Sequence, residues 1–552
     1  MLEYFTKERY NLKKAIAILL ILISILTIFT SCDEETSSDL YYPVTEDFGT
    51  IDPQVASVSS SKMIAYNCFE GLVRLNENKE IVAAGADSWS VSNDSLVYTF
   101  NLRKDAKWYL TNTSKEELSD EDKDESLLPE NFDNRVTAYD YAFGLKRALD
   151  PATGSAEGKY LSSIKNGSGV QSGALTTDAL GIEVLDDYTL KITLDYPDPN
   201  FLYYLTRLAA MPCNETFFNA CRGRYGLAME YMLCNGEYMV YRWTQGAVIR
   251  LEKNPLYTGS EPAKNDRVWV YYVEDGATVP EKIEKGTYDA GYVSADSLSL
   301  FNDDFTVSAL SDVIWGYWFN CAADTFTTTA LRKAFAASAD LSLLTAPDYI
   351  EGTTNRLLTN TLSPYYDFTP ELISYNENTA LAHYKTAMNE NENISASMSV
   401  TVLTTEDFAD CVKKQIQIWQ RVFGIDVKIN IQSRDEALKL FNSGNYQIAF
   451  LPVTVTASNT AEFLGTFKSG SSYNITGYAN EFYDNLIDSL TNTMTDEQKN
   501  DIFKKCEQTV ISDAVIIPVY TEASYFILGK NVSGIYSFSE SEIYFRNGNI
   551  LS

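Results

Sequence analysis

Few residues in this chain have the types and spacing that chemistry requires. A single histidine, His383, lies in the helix-like stretch "TALAHYKTAMNE", so a serine or cysteine nucleophile has almost no imidazole base to draw on. Ser-x-x-Lys occurs at Ser59 to Lys62 and at Ser162 to Lys165, in both cases without the Ser-Asp-Asn and Lys-Thr-Gly partners of serine acyl transfer. Cys213, Cys221 and Cys234 are close in sequence, but no Cys-x-x-Cys pair is present and His383 is remote, so a zinc knuckle has no ligand set. Asp120, Asp122 and Asp124 begin like a calcium loop. Glu125, however, stands where the turn needs glycine, and Asn131 where a bidentate glutamate closes the loop. Walker, dinucleotide-binding and His-Glu-x-x-His motifs are all missing. The expected chemistry is reversible binding: not an enzyme, with no cofactor and no metal.

The elements around these residues alternate in type. "LVYTFNLR" (Leu96 to Arg103), "YTLKITLDY" (Tyr188 to Tyr196) and "RVWVYYVED" (Arg267 to Asp275) concentrate strand formers in short runs bounded by turn residues. "TAYDYAFGLKRALD" (Thr137 to Asp150) places Thr137 as N-cap before apolar residues at helical spacing. "TALRKAFAASADLSLL" (Thr329 to Leu344) and "DFADCVKKQIQIWQRVFG" (Asp407 to Gly424) read as amphipathic helices, the second stopping at Gly424 before the strand "IDVKINIQ". Ser114 to Asn131 is charged and aperiodic, a solvated insertion. The chain is mixed α/β, and its 552 residues suffice for two to four structural units.

The N-terminus reads separately. Lys7, Arg9, Lys13 and Lys14 precede an apolar run from Ala15 to Phe29 that is short for a spanning helix, the pattern of an export signal. Ser31 before Cys32 resembles a lipobox, although Phe29 stands where leucine is commoner. That resemblance implies cleavage after Ser31, lipidation of Cys32 and a flexible tether. The formal charge is −31, and loss of residues 1 to 31 makes the remainder more negative still. Such a surface repels nucleic acid and anionic headgroups, so the membrane contact falls to the anchor. Of eight cysteines, Cys32 leaves an odd number, so at least one thiol stays unpaired.

Several segments together resemble the family 5 extracellular solute-binding proteins, receptors of ATP-binding-cassette importers. Thr50 to Trp108 carries Asp-Pro, then Phe-Glu-Gly-Leu, then "LRKDAKW" at the family's spacing. "VTAYDYAFGLKRALDP", "NGEYMVYRWTQGAVIRLEKNPLY", "ALRKAFAASAD", "YNITGYANEFYDNLID" and "VIIPVY" continue the match. The resemblance implies a two-lobed flytrap of the type II periplasmic-binding-protein kind, with an extra α/β subdomain inserted in lobe I. Residues 1–31 are then the signal and 32–45 the tether. Residues 46–69, 215–315 and 523–552 form lobe I, 70–214 the inserted subdomain and 316–522 lobe II, with hinge crossings near Trp315 and Glu522. It also implies a lipid-anchored monomer outside the cytoplasmic membrane that closes on a peptide or peptide-like solute and presents it to permease subunits.

By the same resemblance, Ser57, Val58 and Ser59 lie extended beside the ligand as an added strand would. The lobe II aspartate that clamps a peptide's ammonium is replaced within Thr454, Val455 and Thr456, with Thr456 at its place. A carboxylate-binding arginine is replaced by Phe441, with Arg434 nearby. Glu157, at the place of a tyrosine contact, is a substitute carboxylate for the amine. Trp315, Tyr317 and Trp318 are candidates to stack on a ligand, whether an apolar side chain or a sugar ring, or to be core. An oligosaccharide receptor, or a surface lipoprotein that has lost transport, remains compatible with these residues.

Overall fold

Alternation sets the first element. In Asp39–Val44 (β1), Leu40 and Tyr42 turn inward and are 1% and 3% exposed, while β1 pairs in parallel with residues 267–272. These come from a computed structural model that describes residues 39–110, 132–345, 350–358, 368–454, 460–471, 473–491 and 494–550. Cys32, the signal segment, Ser114 to Asn131, Val455 and Thr456 lie outside the described residues. Of the residues expected as tether over 32–45, Asp39–Val44 form a strand. From Asp39 onward the chain is a sheet strand, because its apolar alternation finds a core to bury against.

After β1 comes the helix Ser59–Cys68 (α1), and the chain then leaves for the inserted region. There Ala86–Val91 (β2), Val97–Leu102 (β3), Ala138–Leu149 (α2), Ile182–Asp186 (β4) and Thr189–Thr193 (β5) build an antiparallel sheet of order β2-β3-β5-β4 with α2 against it. Thr137 and Asp140 close a capping box on α2, whose buried face runs through Ala138, Tyr141, Leu145 and Leu149. The chain returns through Tyr238–Thr244 (β6), Val248–Lys253 (β7) and Arg267–Tyr272 (β8), giving a second sheet of order β1-β8-β7-β6. One continuous apolar core joins both sheets, with Phe100, Leu145 and Leu190 in the same cluster as Leu40, Leu251 and Val268. A buried ion pair, Arg147 Nη2 to Asp52 Oδ2 at 2.6 Å, fastens α2 to the segment before α1.

The second lobe is entered and left along two long strands. After Ala290–Val293 (β9), Thr306–Phe319 (β10) leads to Thr329–Ala337 (α3), Glu377–Glu390 (α4), Ser399–Thr405 (β11), Ala409–Phe423 (α5), Asp426–Gln432 (β12), Arg434–Asn442 (α6), Ile448–Thr454 (β13) and Thr460–Gly465 (α7). The return is Ile516–Leu528 (β14), followed by the hairpin Tyr536–Ser539 (β15) and Glu542–Tyr544 (β16) back in lobe I. α5 stops at Gly424, whose φ of 69° is the left-handed conformation a C-terminal glycine supplies without steric cost.

Strands β10 and β14 pair antiparallel from Thr306↔Leu528 to Trp318↔Ile516. One end of this ribbon carries β9 and the other β13, so the same two strands belong to both lobes. The register slips between Ser311 and Val313, opposite Ala523 and Glu522. Beyond the slip, Trp315 is packed on Phe408 and Phe450 at 4.6 and 5.9 Å between ring centres, inside the lobe II core. Trp315, expected as the last residue of lobe I, thus packs with side chains of the segment expected as lobe II. The result is a two-lobed, mixed α/β molecule. Among the described residues, no helix is long and apolar enough to cross a membrane.

Candidate functional site

A cavity of about 740 Å³ opens where the two-strand ribbon passes between the lobes. Such a volume suits a small ligand held inside a protein rather than on it. Lobe I supplies most of its wall: the end of β1, the start of α1, Glu157, Arg207, and the β15–β16 hairpin with Glu540 and Glu542. The ribbon adds Val313 and Glu522 to Ser524, and lobe II adds Arg434.

The start of α1 is shaped by its own caps. Val58 is extended at φ −80° and ψ 137°, and the Ser59 amide donates to Glu46 Oε2 at 3.1 Å, so a carboxylate satisfies a free first-turn N–H. This turn places Ser57, Ser59 and Ser60 on the cavity wall. One turn on, Lys62 Nζ reaches Glu157 Oε1 at 2.9 Å. Glu157 therefore is not the free carboxylate that its sequence position suggested. Its other oxygen, Oε2, is buried without a hydrogen-bond partner. Nearby, Glu542 accepts from the Tyr544 hydroxyl at 2.9 Å. Burial pushes the Glu542 carboxyl above its usual range, against the opposing pull of that hydroxyl and of the Arg207 guanidinium.

On the ribbon side, Glu522 binds three donors. Arg434 forks onto it with Nη1 to Oε1 at 3.2 Å and Nη2 to Oε2 at 3.0 Å, and the Trp315 indole N–H donates to Oε2 at 2.8 Å. The Arg434 guanidinium also sits 5.5 Å from the Trp315 ring centre. Arg434 lines the cavity, and its charge is directed at Glu522.

The aromatic platform does not form. Tyr317 and Trp318 are each 1% exposed, and Trp315 is fully buried. The lobe II sheet is covered on both faces, so alternate residues of β10 go to opposite cores: Trp315 and Tyr317 to one, Trp318 to the other. Tyr317 packs edge-on against Trp419, and the Trp318 indole N–H donates to the Leu451 carbonyl. Phe441 is likewise core, 1% exposed and edge-on to Trp318 at 5.8 Å. None of Tyr317, Trp318 and Phe441 lines the cavity; all three, expected as ligand contacts, are packed in cores. Thr454 ends β13 opposite Val313, a cavity residue. Val58 is half-buried and serves as the extended residue before α1.

Arg207, Glu542, Lys62 and Tyr66 also line the cavity and were not singled out by sequence. Apart from Tyr544, two residues from Glu542, their partners are far away in the chain, so no local pattern marks them. Lys62 alone had a signal, as the fourth residue of the first Ser-x-x-Lys, though its partner is a glutamate. His383 lies half-buried on α4 and does not line the cavity. Cys68, Cys213, Cys221, Cys234, Cys321, Cys411 and Cys506 are all buried and unpaired.

The family model described as bacterial extracellular solute-binding proteins, family 5 middle, matches residues 80–474. The dipeptide-binding protein DppE of Bacillus subtilis is 28% identical over 502 residues, covering 88% of this chain and 87% of the relative. The oligopeptide-binding protein OppA of the same organism is 24% identical over 521 residues, 91% of each chain. Among solved structures, Listeria monocytogenes OppA bound to peptide superposes with a TM-score of 0.66 at 21% identity, covering 94% of this chain and all of that one (100%). HbpA2 from Haemophilus parasuis gives 0.71 at 15% identity, covering 93% and 99%. Both structural likenesses concern the fold.

Proposed function

The chain belongs to the family 5 bacterial extracellular solute-binding proteins, and on that premise we propose that it is the lipid-anchored receptor of an ATP-binding-cassette importer. It captures an oligopeptide or peptide-like solute by hinge closure and delivers it to the permease. The observation that carries this reading is the cavity at the β10–β14 ribbon, with walls from both lobes and from the strands that join them. A ligand there touches groups that move apart on opening, so its binding energy goes into closure.

The hinge is assigned to the register slip at Ser311–Val313 and Glu522–Ala523, where the ribbon changes lobes. A main chain laid beside Ser57 to Ser59 fits the small side chains there. A ligand cation is assigned to Glu157 Oε2, the oxygen that Lys62 leaves unsatisfied, with Glu542 alongside. Placing the amine on lobe I is consistent with the missing lobe II aspartate. An oligosaccharide receptor is less well supported, since Trp315, Tyr317 and Trp318 are packed in cores and offer no ring face to a sugar.

Thermal unfolding with defined di- to pentapeptides tests the function. A ligand present at a hundred times its Kd adds about 2.7 kcal/mol to stability, and a peptide bound in the cleft produces the corresponding rise in Tm. No shift with any peptide pool, alongside a shift with a different solute, would overturn the peptide assignment. For a cationic peptide identified in this way, Glu157→Gln weakens binding by about 2 kcal/mol or more. Unchanged affinity in that variant rules out the assigned amine site.

A further inference from the structure

Arg207 has two jobs in this structure. It lines the cavity from lobe I, and it also crosses to lobe II, where its Nη2 pairs with Glu462 Oε1 on α7. The two side chains are 10% and 5% exposed. The Arg207 guanidinium lies 3.9 Å from the ring centre of Tyr160. Tyr160 in turn stacks on Tyr473 of the second lobe, 5.0 Å between ring centres at an interplanar angle of 14°. The Lys159 ammonium covers Tyr473 at 4.3 Å. An ion pair, a ring stack and two cation–π contacts therefore converge within a few residues at one end of the cleft.

We propose that Arg207 and Glu462, with Tyr160 and Tyr473, form an interlobe latch made only of protein groups, so that a closed form is populated before any solute arrives. The receptor reading above supplies the use to which this closure is put, but the latch stands on its own contacts. Arg207 touches the cavity and the latch together, so it is the residue through which occupancy of the cleft bears on closure.

The physics of a buried ion pair gives the proposal a specific signature. Removing one partner leaves an uncompensated buried charge, whereas replacing both by apolar residues of similar volume leaves nothing to solvate. Glu462→Gln should therefore open the molecule, and the double variant Arg207→Met with Glu462→Met should let it close again. A steric or purely structural role for either residue has no reason to show that recovery.

The test is a distance measurement between spin labels at Lys285→Cys in lobe I and Lys428→Cys in lobe II. It uses the detergent-solubilised full chain without added peptide, with circular dichroism to verify that each variant is folded. The labelled reference protein is expected to show a closed population. Glu462→Gln should reduce the ratio of closed to open at least about tenfold, Tyr473→Ala should reduce it severalfold, and the double methionine variant should return towards the reference. Three results would each overturn the latch: no closed population in the reference, no change in Glu462→Gln, or a double variant as open as the single one. The readout needs no ligand. Failure of every peptide to bind would sink the receptor reading and leave this result untouched, and the converse also holds.

Discussion

Asp140 shows how a single side chain can serve a helix and be penalised for it. It is 5% exposed, accepts the Thr137 amide and hydroxyl as part of the α2 capping box, and accepts from Asn214 Nδ2 at 2.9 Å. Burial outweighs those donors and pushes its carboxyl up to about 6. Below the unfolded carboxylate range both states are protonated. Between about pH 4 and 6 the folded state holds the extra proton, so this group's contribution to stability falls as pH rises and is lost by about pH 6. The full swing is about 3 kcal/mol. Asp140→Asn should flatten that part of the stability profile, measured by urea unfolding at several pH values. An unchanged slope would assign the titration to another group. Arg147 is the opposite case: its pair with Asp52 is reinforced by Gln54 Oε1 at 2.6 Å and Cys213 Sγ at 3.4 Å. Arg147→Ala strands a buried carboxylate and is expected to cost about 3 to 5 kcal/mol, read as a lower urea midpoint.

At the scale of elements, the β10–β14 ribbon matters most, because it is sheet and cavity wall at once and, in the proposed function, the hinge. Gly316 lies at its second register shift, and a Cβ there would come within 2.5 Å of the Ile517 carbonyl oxygen. Only a residue without a side chain lets the two backbones approach so closely. Gly316→Val should therefore cost about 1 to 3 kcal/mol, seen as a lower Tm. If Tm is unchanged, the strands can separate there without loss. Helices α3 and α5 of lobe II were readable from sequence because their apolar positions recur at helical spacing: "DFADCVKKQIQIWQRVFG" contains α5, with Val412, Ile416, Trp419 and Phe423 buried on one side. Strand faces were harder to read. "IWGYWFN" is apolar on both faces, so periodicity could not say which aromatics meet solvent, and both faces proved to be core.

For the whole molecule, tethering and capture should be separable. Cys32→Ser is expected to move the protein from the membrane to the soluble fraction of fractionated cells while leaving a peptide-induced Tm shift intact. Continued membrane association of that variant would place the anchor elsewhere. The first described element is β1, whose Leu40 and Tyr42 are part of the lobe I core. Deleting residues 39–44 should consequently lower Tm sharply, whereas shortening the segment between Cys32 and Asp39 should not. Equal Tm values for the two deletions would mean that β1 adds little to the lobe I sheet.

What the sequence determined by itself was the family, the mixed α/β class, the helices α2, α3 and α5 and the strands β3, β5, β8 and β12, because these follow from local periodicity, caps and the spacing of short motifs. It also marked Ser57, Ser59, Glu157 and Arg434, all of which line the cavity. What only the tertiary structure decided is how charges separated along the chain pair off. Lys62 takes Glu157, Glu522 takes Arg434, and Arg207 reaches across the cleft to Glu462. A side chain's neighbours in sequence do not say whether its charge is free for a ligand. That depends on desolvation and on partners tens to hundreds of residues away, which meet only when the chain folds.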